Sequence, residues 1–322
     1  MADRQVISQL AAGDKVDSQF SLAYKKPVTE YKYGFMFEFR VADRSGQMTA
    51  KYWGGQDRAH VELLQGSLER GGVVKIVGEV GEYRNQLELS VSEKDGGLVR
   101  PAKPEEYDIS DLVASVDNIP EMRDRLVGFI SDIEEPHLGR LLTDVFEDEG
   151  FMESFCSAPA SIQLHSAAIG GLLQHTLNVV DVCARMLQIQ PGLDRDLVLA
   201  GAMLHDIGKT RSFLVTTNIN HTPEGNLLGH IMIGDELLAK RIGSIDGFPP
   251  DIALKLRHIL ASHHGKRDWG SPVEPMIPEA LLVHQADDLD AKLKYMVARR
   301  DEAVTEDDWI WDRRLSRLIY LR

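Results

Sequence analysis

Cysteine is nearly absent from this chain. With only Cys156 and Cys183 among 322 residues, no disulfide framework can form, which excludes a disulfide-stapled secreted scaffold and points to a reducing compartment. No apolar run reaches the ~18 residues that a membrane helix needs. The opening MADRQVISQL has no signal-peptide pattern, so the expectation is a cytoplasmic protein with no membrane partner. Internal repeats and low-complexity tracts are missing too, which excludes solenoids and disordered arrays. A basic excess is also lacking. Residues 1–100 carry 14 Lys+Arg against 14 Asp+Glu, so the whole formal charge of −14 falls on residues 101–322. Such acidity argues against broad electrostatic capture of duplex DNA or anionic membranes. It leaves room for a nucleic acid held locally by metal ions and a neutral accessory domain.

What is present divides in two, as a chain of this length favours. In YGFMFEFRV, Phe35, Phe37 and Phe39 alternate with Met36, Glu38 and Arg40, the period-2 pattern of a half-buried strand whose aromatic stripe faces a core. GQMTAKYW, GGVVKIVGEV and NQLELSVSE read as further strands, with a short helix near 56–68. Four or five strands with one helix between the third and fourth is the layout of a small Greek-key barrel, of which the OB-fold is the best-known example. PAKPEEYD at 101–108 reads as a linker. Beyond it the pattern is helical: Leu126, Phe129, Ile130 and Ile133, then Leu138, Leu141, Leu142 and Val145, fall at i, i+3, i+4, i+7. Further helices are predicted at about 169–188, 194–207, 230–242, 250–262 and 278–299. The fold class is therefore multidomain α+β, a small β-barrel followed by an all-α bundle.

Histidines and aspartates concentrate in that bundle. His175 sits in GGLLQHTLNVV, His205 and Asp206 close LVLAGAMLHDIGK, His230 follows in GNLLGHI, His263 and His264 in ILASHHG, and Asp287 in LLVHQADDLDAK. Apolar flanks turn these polar groups into a helical interior, where each needs a partner. Imidazole and carboxylate together suit manganese, iron, cobalt or zinc. Taken singly, His175 reads more often as a hydrogen-bonded core residue than as a ligand, and Asp287 more often as a helix cap or ion-pair member. Lys209 either caps its helix or meets charge on a phosphate. His284, one turn before Asp287, is either an orienter of that carboxylate or core. Asp288 and Asp290 read as outer groups or solvated acids.

In this order, H…HD…D resembles the signature of the HD-domain phosphohydrolases, and the chain is most similar in pattern to the YhaM-like 3′–5′ exoribonucleases, which place an OB-fold before an HD domain. The resemblance implies an OB-fold-like nucleic-acid-binding domain at 1–100, a linker and leading helices at 101–155, and at 156–322 the HD core with a Trp-then-Arg-rich C-terminal helix. It implies that His175, His205, Asp206 and Asp287 hold one divalent metal ion. His230, His263 and His264 match the ligands of a second, with Asp206 bridging and one of the adjacent pair free to contact substrate. Manganese is the expected metal, with iron, cobalt, nickel and magnesium as alternatives. His165 matches the first of a His-His pair whose second member is replaced by Ser166.

The function expected is a 3′–5′ exonuclease of single-stranded RNA, and of DNA as an open alternative, using a water activated by two metals with Asp206 and Lys209 as catalytic groups. Arg211, Lys266 and Arg267 are candidate phosphate contacts, or equally solubilising charges. On the barrel, Lys51, Tyr52, Trp53, Tyr83 and Arg84 are candidates for stacking and phosphate contact with a single strand. Competing readings are a phosphodiesterase or phosphomonoesterase of small nucleotides and a non-catalytic nucleic-acid-binding scaffold. A homo-oligomer is left open.

Overall fold

The computed structural model describes residues 5–83, 86–161, 168–301, 303, 305 and 307–322. They form two compact units, one of residues up to Ser115 together with Val215–Ile219, the other of Val116–Leu214 and Asn220–Arg322.

The first unit is built on β1 (Lys15–Lys25), β2 (Thr29–Tyr31), β3 (Gly34–Asp43), β4 (Gly46–Trp53), α1 (Arg58–Ser67), β5 (Val73–Tyr83), β6 (Gln86–Ser92) and β7 (Leu98–Pro101). β1 pairs antiparallel with β3, β3 with β4, and β5 with both β6 and β1, while β4 and β6 run parallel. The ring β1-β3-β4-β6-β5 therefore closes on itself, an OB-like barrel with α1 between its third and fourth strands. Period-2 alternation sends Phe37 and Phe39 wholly inside, with Phe20, Leu22, Val41, Ile76, Leu89 and Val91. Each such side chain contributes roughly 1.5–3 kcal/mol by leaving water. Asp57 caps α1 by accepting from His60 N at 3.1 Å, and Val61 of that helix packs into the core.

The second unit contains α2 (Ile119–Ser131), α3 (Pro136–Phe146), α4 (Glu149–Ser157), α5 (Gly171–Ile189), α6 (Arg195–Leu204), the short α7 (Lys209–Ser212), the outer ends of a hairpin of β8 (Phe213–Val215) and β9 (Ile219–His221) whose tip at Val215–Ile219 counts with the first unit, α8 (Pro223–Gly243), α9 (Pro250–Ser262), α10 (Pro278–Asp301) and a last hairpin of β10 (Trp309–Asp312) and β11 (Arg317–Tyr320). α5 and α6 are its axis: α6 is buried on every side from Asp196 to Leu204, and Asp196 accepts from the Glu134 and Glu135 amides at 2.7 Å each, tying in the α2–α3 turn. No helix of the described residues is long and apolar enough to cross a membrane.

Two segments differ from the sequence reading. α8 starts at Pro223, not near 230, because Thr222 caps it by accepting from Gly225 N at 2.8 Å. The periodicity breaks at Gly229, whose backbone (φ 73°, ψ 155°) leaves the helix and kinks it. The expected C-terminal helix is a hairpin. Trp309 and Trp311 alternate with Ile310 and Asp312 and pair with Tyr320 and Leu318, a period-2 pattern that a helix cannot satisfy.

Candidate metal centre

Five elements deliver the ligand set. His175 projects from the first turns of α5, His205 and Asp206 follow α6, His230 follows the kink of α8, His263 and His264 end α9, and Asp287 lies on α10. Gly208 makes the close approach possible. A Cβ there would fall 1.9 Å from the His230 carbonyl oxygen, so only glycine lets the His205-Asp206 turn meet the α8 kink.

Asp206 is the centre. It is 2 % exposed, and its two oxygens face different histidines. Oδ2 lies 3.4 Å from His175 Nε2 and 3.2 Å from His205 Nε2, whereas Oδ1 lies 3.6 Å from His230 Nε2 and 3.5 Å from His263 Nε2. Two ligand groups form on either side, His175/His205/Asp287 and His230/His263/His264, the ligand atoms within each group lying within 4.8 Å of one another. His175 Nε2 is 3.1 Å from Asp287 Oδ1 and 3.3 Å from His205 Nε2. Ligands held about 2.0–2.2 Å from one ion stand roughly 3.0–3.5 Å apart, so these spacings fit a shared cation.

The hydrogen bonds point the same way. His205 Nδ1 lies 2.8 Å from the Ala202 carbonyl, His263 Nδ1 2.7 Å from that of Leu260, and His264 Nδ1 2.8 Å from that of Trp269. A carbonyl only accepts, so each Nδ1 carries the proton and each Nε2 lone pair is left for a cation. His175 Nδ1 is likewise 2.6 Å from Asp290 Oδ2, and Asn178 donates to Asp290 Oδ1 at 2.7 Å. Asp206 Oδ1, His230 Nε2 and His263 Nε2 are buried without any hydrogen-bond partner. Three orphaned polar atoms converging on one point are costly, and a divalent ion would satisfy all three. Donor set and geometry thus fit a metal.

Protonation follows from the same surroundings. Burial pushes His230 well below the usual imidazole range, and burial with His263 alongside takes His264 down to about 4. Both are neutral donors at physiological pH. For His175 burial acts downward too, but bonds to Asp206, Asp287 and Asp290 override it and raise the ring to about 10. Its Nε2 therefore attracts positive charge, whether proton or cation. Asp206 is held well below the carboxylate range against its own burial by Lys209 and His205, and Asp287 is lowered, against burial, chiefly by His175.

The remaining sequence candidates scatter. Lys209 Nζ sits 2.6 Å from Asp206 Oδ2 rather than on helix carbonyls. Arg211 is neutralised by Glu224 and Glu236. Lys266 and Arg267 are exposed, with Lys266 4.6 Å from the Trp269 ring centroid. Tyr52 is a correction: at 2 % exposure it stacks on Phe37 with ring centroids 5.2 Å apart inside the barrel core, so its ring offers no face to a base. Trp53, one residue on, is half-buried against Tyr31, and Tyr83 is exposed with Lys51 5.1 Å above its ring. Lys51 also pairs with Glu88 at 2.6 Å. Arg84 and His165 lie outside the described residues. Asp290, left above between an outer group and a solvated acid, orients His175. His284 binds the His263 carbonyl at 2.7 Å instead of Asp287. Asn178 was missed; its signal was its place one turn after His175 on the same face.

A model of the HD domain matches residues 172–292, which contain every ligand named above. The 3′-5′ exoribonuclease YhaM of Bacillus subtilis (strain 168) is 33% identical over 259 residues, 80% of this chain and 78% of that protein. The 3′-5′ exoribonuclease YhaM of Bacillus velezensis (strain DSM 23117) is 30% identical over 288 residues, 88% of this chain and 87% of that protein. Among solved structures, the OB domain of Ta0387 from Thermoplasma acidophilum matches 31% of this chain and 86% of its own, at 16% identity and a TM-score of 0.24. At this identity and coverage the relatives place the chain: it belongs to the YhaM family of 3′–5′ exoribonucleases.

Proposed function

We propose that this protein is a metal-dependent 3′–5′ exonuclease that hydrolyses phosphodiester bonds of single-stranded RNA. The observation that carries the reading is Asp206, a buried carboxylate whose two oxygens face two separate histidine groups, with orphaned nitrogens on the far side. Such a carboxylate could be shared by two metal ions. On this reading two divalent ions per chain, manganese being the metal we expect, would be held by His175, His205, Asp206 and Asp287 on one side and by Asp206, His230, His263 and His264 on the other. Such ions would supply Lewis acidity toward a phosphodiester and acidify water.

The chain's own groups do the rest. Asp290 and Asn178 fix the His175 tautomer. Lys209, on the wall of the cavity beside the cluster, gives the buried Asp206 its counter-charge and is placed to meet negative charge on the phosphate or the departing oxygen. The barrel guides the single strand by stacking at Trp53 and Tyr83, a modest grip suited to a strand that must slide.

The test is a time course on RNA and DNA of matched sequence, each labelled at the 5′ end, with Mn²⁺ and with chelator. A descending ladder from RNA that disappears with chelator is the expected result, and the DNA lanes read the sugar preference. Intact RNA at high enzyme concentration, with turnover of free nucleotides instead, would replace this reading by a small-nucleotide hydrolase.

A further inference from the structure

The cavity beside the metal cluster has walls unlike the rest of its acidic unit. It encloses about 570 Å³, within the range of small-ligand sites. Asp287, His175 and Lys209 are among the residues that line it. It follows α10, where Ala291 stands midway between Asp287 and Tyr295 at four-residue intervals on one helix face. The small side chain leaves a trough roughly 12 Å long at 1.5 Å rise per residue.

Trp269 makes one wall. Trp269 is 44 % exposed, and two ammonium groups lie near its ring, Lys266 Nζ at 4.6 Å and Lys292 Nζ at 5.0 Å from the centroid. Because its carbonyl fixes the ligand His264 at 2.8 Å, the ring is carried by the same short loop that shapes the metal cluster. Arg314 also lines the cavity, from the turn between β10 and β11, with its guanidinium 5.2 Å from the Tyr295 ring. That turn is pinned. Buried Asp312 accepts from Tyr295 Oη at 2.6 Å and from Leu315 N at 2.8 Å. Lys292 is paired with Asp288, but no carboxylate among the described residues pairs with Arg314. The C-terminal hairpin thus holds a guanidinium without a carboxylate partner among the described residues on the wall of the same cavity that a part-exposed indole and the candidate metal ligands line.

We infer that this trough seats the 3′-terminal nucleotides of the RNA, with Trp269 stacking on a base and Arg314, supported by Lys292, holding a phosphate. A part-exposed aromatic ring stacks on a base, a guanidinium fork selects a phosphate oxyanion, and the candidate metal ligands line the same cavity, where the scissile bond would follow. The inference rests on the exonuclease reading and gives the C-terminal hairpin a role in substrate capture.

The test measures steady-state degradation of a 5′-fluorescent single-stranded RNA by the full chain with Mn²⁺, across a series of salt concentrations, for wild type, Arg314→Ala, Arg314→Lys, Trp269→Ala and Trp269→Phe. Arg314→Ala should raise KM on the order of tenfold, move kcat far less, and reduce the slope of log(1/KM) against log[salt] by about 0.7, the loss of one single-strand phosphate contact. Lysine should restore the slope but not the whole affinity. Trp269→Ala should raise KM on the order of tenfold without changing the slope, and phenylalanine should restore most of it. A purely structural role for the hairpin would not move the slope. If wild type degrades RNA while both alanine variants keep its KM and slope, the trough assignment is overturned and the exonuclease reading stands. If wild type leaves RNA intact and hydrolyses free nucleotides, the exonuclease reading falls and the RNA occupant with it. Should Trp269→Ala fail to fold, the Arg314 pair and Trp269→Phe decide the matter.

Discussion

Replacing Asp290 by alanine removes the group that orients a ligand without touching the ligand itself. Two bonds are lost, His175 Nδ1 at 2.6 Å and Asn178 Nδ2 at 2.7 Å, together with the ion pair to Lys294 at 3.0 Å. The imidazole is then free to rotate and to exchange tautomers, so its Nε2 lone pair points at the cluster only part of the time. Loss of such an outer partner typically costs 10–100-fold in metal affinity, or about 1.4–2.8 kcal/mol. Stability falls as well, because each orphaned donor in this buried place costs roughly 1–3 kcal/mol, less in sum since the two share one network. The assay is calorimetric titration with Mn²⁺ alongside the Mn²⁺ activation curve for RNA degradation. Both midpoints should move up by about 10–100-fold, with turnover largely recovered at saturating metal. Asp290→Asn, whose amide oxygen still accepts from Nδ1–H but carries no charge, should fall between. Asp235→Ala, which breaks an exposed pair with Arg257, serves as the control. An Asp290→Ala midpoint indistinguishable from that of the control would refute the proposal that Asp290 orients a metal ligand.

Four further outcomes follow from the same geometry. Asp206→Asn loses the anionic oxygen pair shared by both histidine groups, so turnover should drop to the level seen with chelator while the circular dichroism spectrum is kept; wild-type turnover would exclude Asp206 as the bridge. Lys209→Ala should lower kcat by about 10²-fold with little change in KM, and a change confined to KM would make Lys209 a binding residue instead. Burial raises the Cys156 thiol and takes Cys183 up to about 12. Since the thiolate is the reactive form, native protein at pH 8 should react slowly with a disulfide reagent at Cys156, faster as pH rises, and not at Cys183, whereas denatured protein titrates both at once. Tyr52→Ala should destabilise the barrel by about 3–5 kcal/mol, as loss of a large core aromatic does, whereas Trp53→Ala should chiefly weaken RNA binding; a Tyr52→Ala melting curve that matches wild type would remove Tyr52 from the core.

How much of this was legible depends on whether the deciding contact is local. The Phe37/Phe39 stripe and the i, i+3, i+4 spacing of Leu138, Leu141, Leu142 and Val145 decide their own burial, because a strand or a helix turns side chains by its own geometry. The candidate ligands were legible for a related reason: each polar group interrupts an apolar helix, and burial obliges it to find a partner. Tyr52 was legible and misread. In Lys51-Tyr52-Trp53 alternation lets only one ring face out, and pairing with Phe37 across β3 and β4 puts Tyr52 within. The tail was misread in the same way, since Trp309-Ile310-Trp311-Asp312 has the period of a strand and the family resemblance suggested a helix.

Asp288 and Asp290 show where local reading stops. Helix geometry puts Asp290 one turn from Asp287 on its face and Asp288 about 100° away, yet that preference becomes a role only when α5 brings His175 and Asn178 opposite. Trp269 and Arg314 lie further beyond reach. Neither has a motif, and each alone reads as a surface residue. Their meaning arises because a bond from a ligand histidine to the Trp269 carbonyl and a buried aspartate at the hairpin turn bring both to the rim of one cavity. A reaction centre must be assembled from obligate polar partners and so leaves marks in the sequence. A substrate channel needs only exposed charge and exposed aromatics, which any protein surface supplies, and it becomes visible only when the fold shows which of them line one cavity.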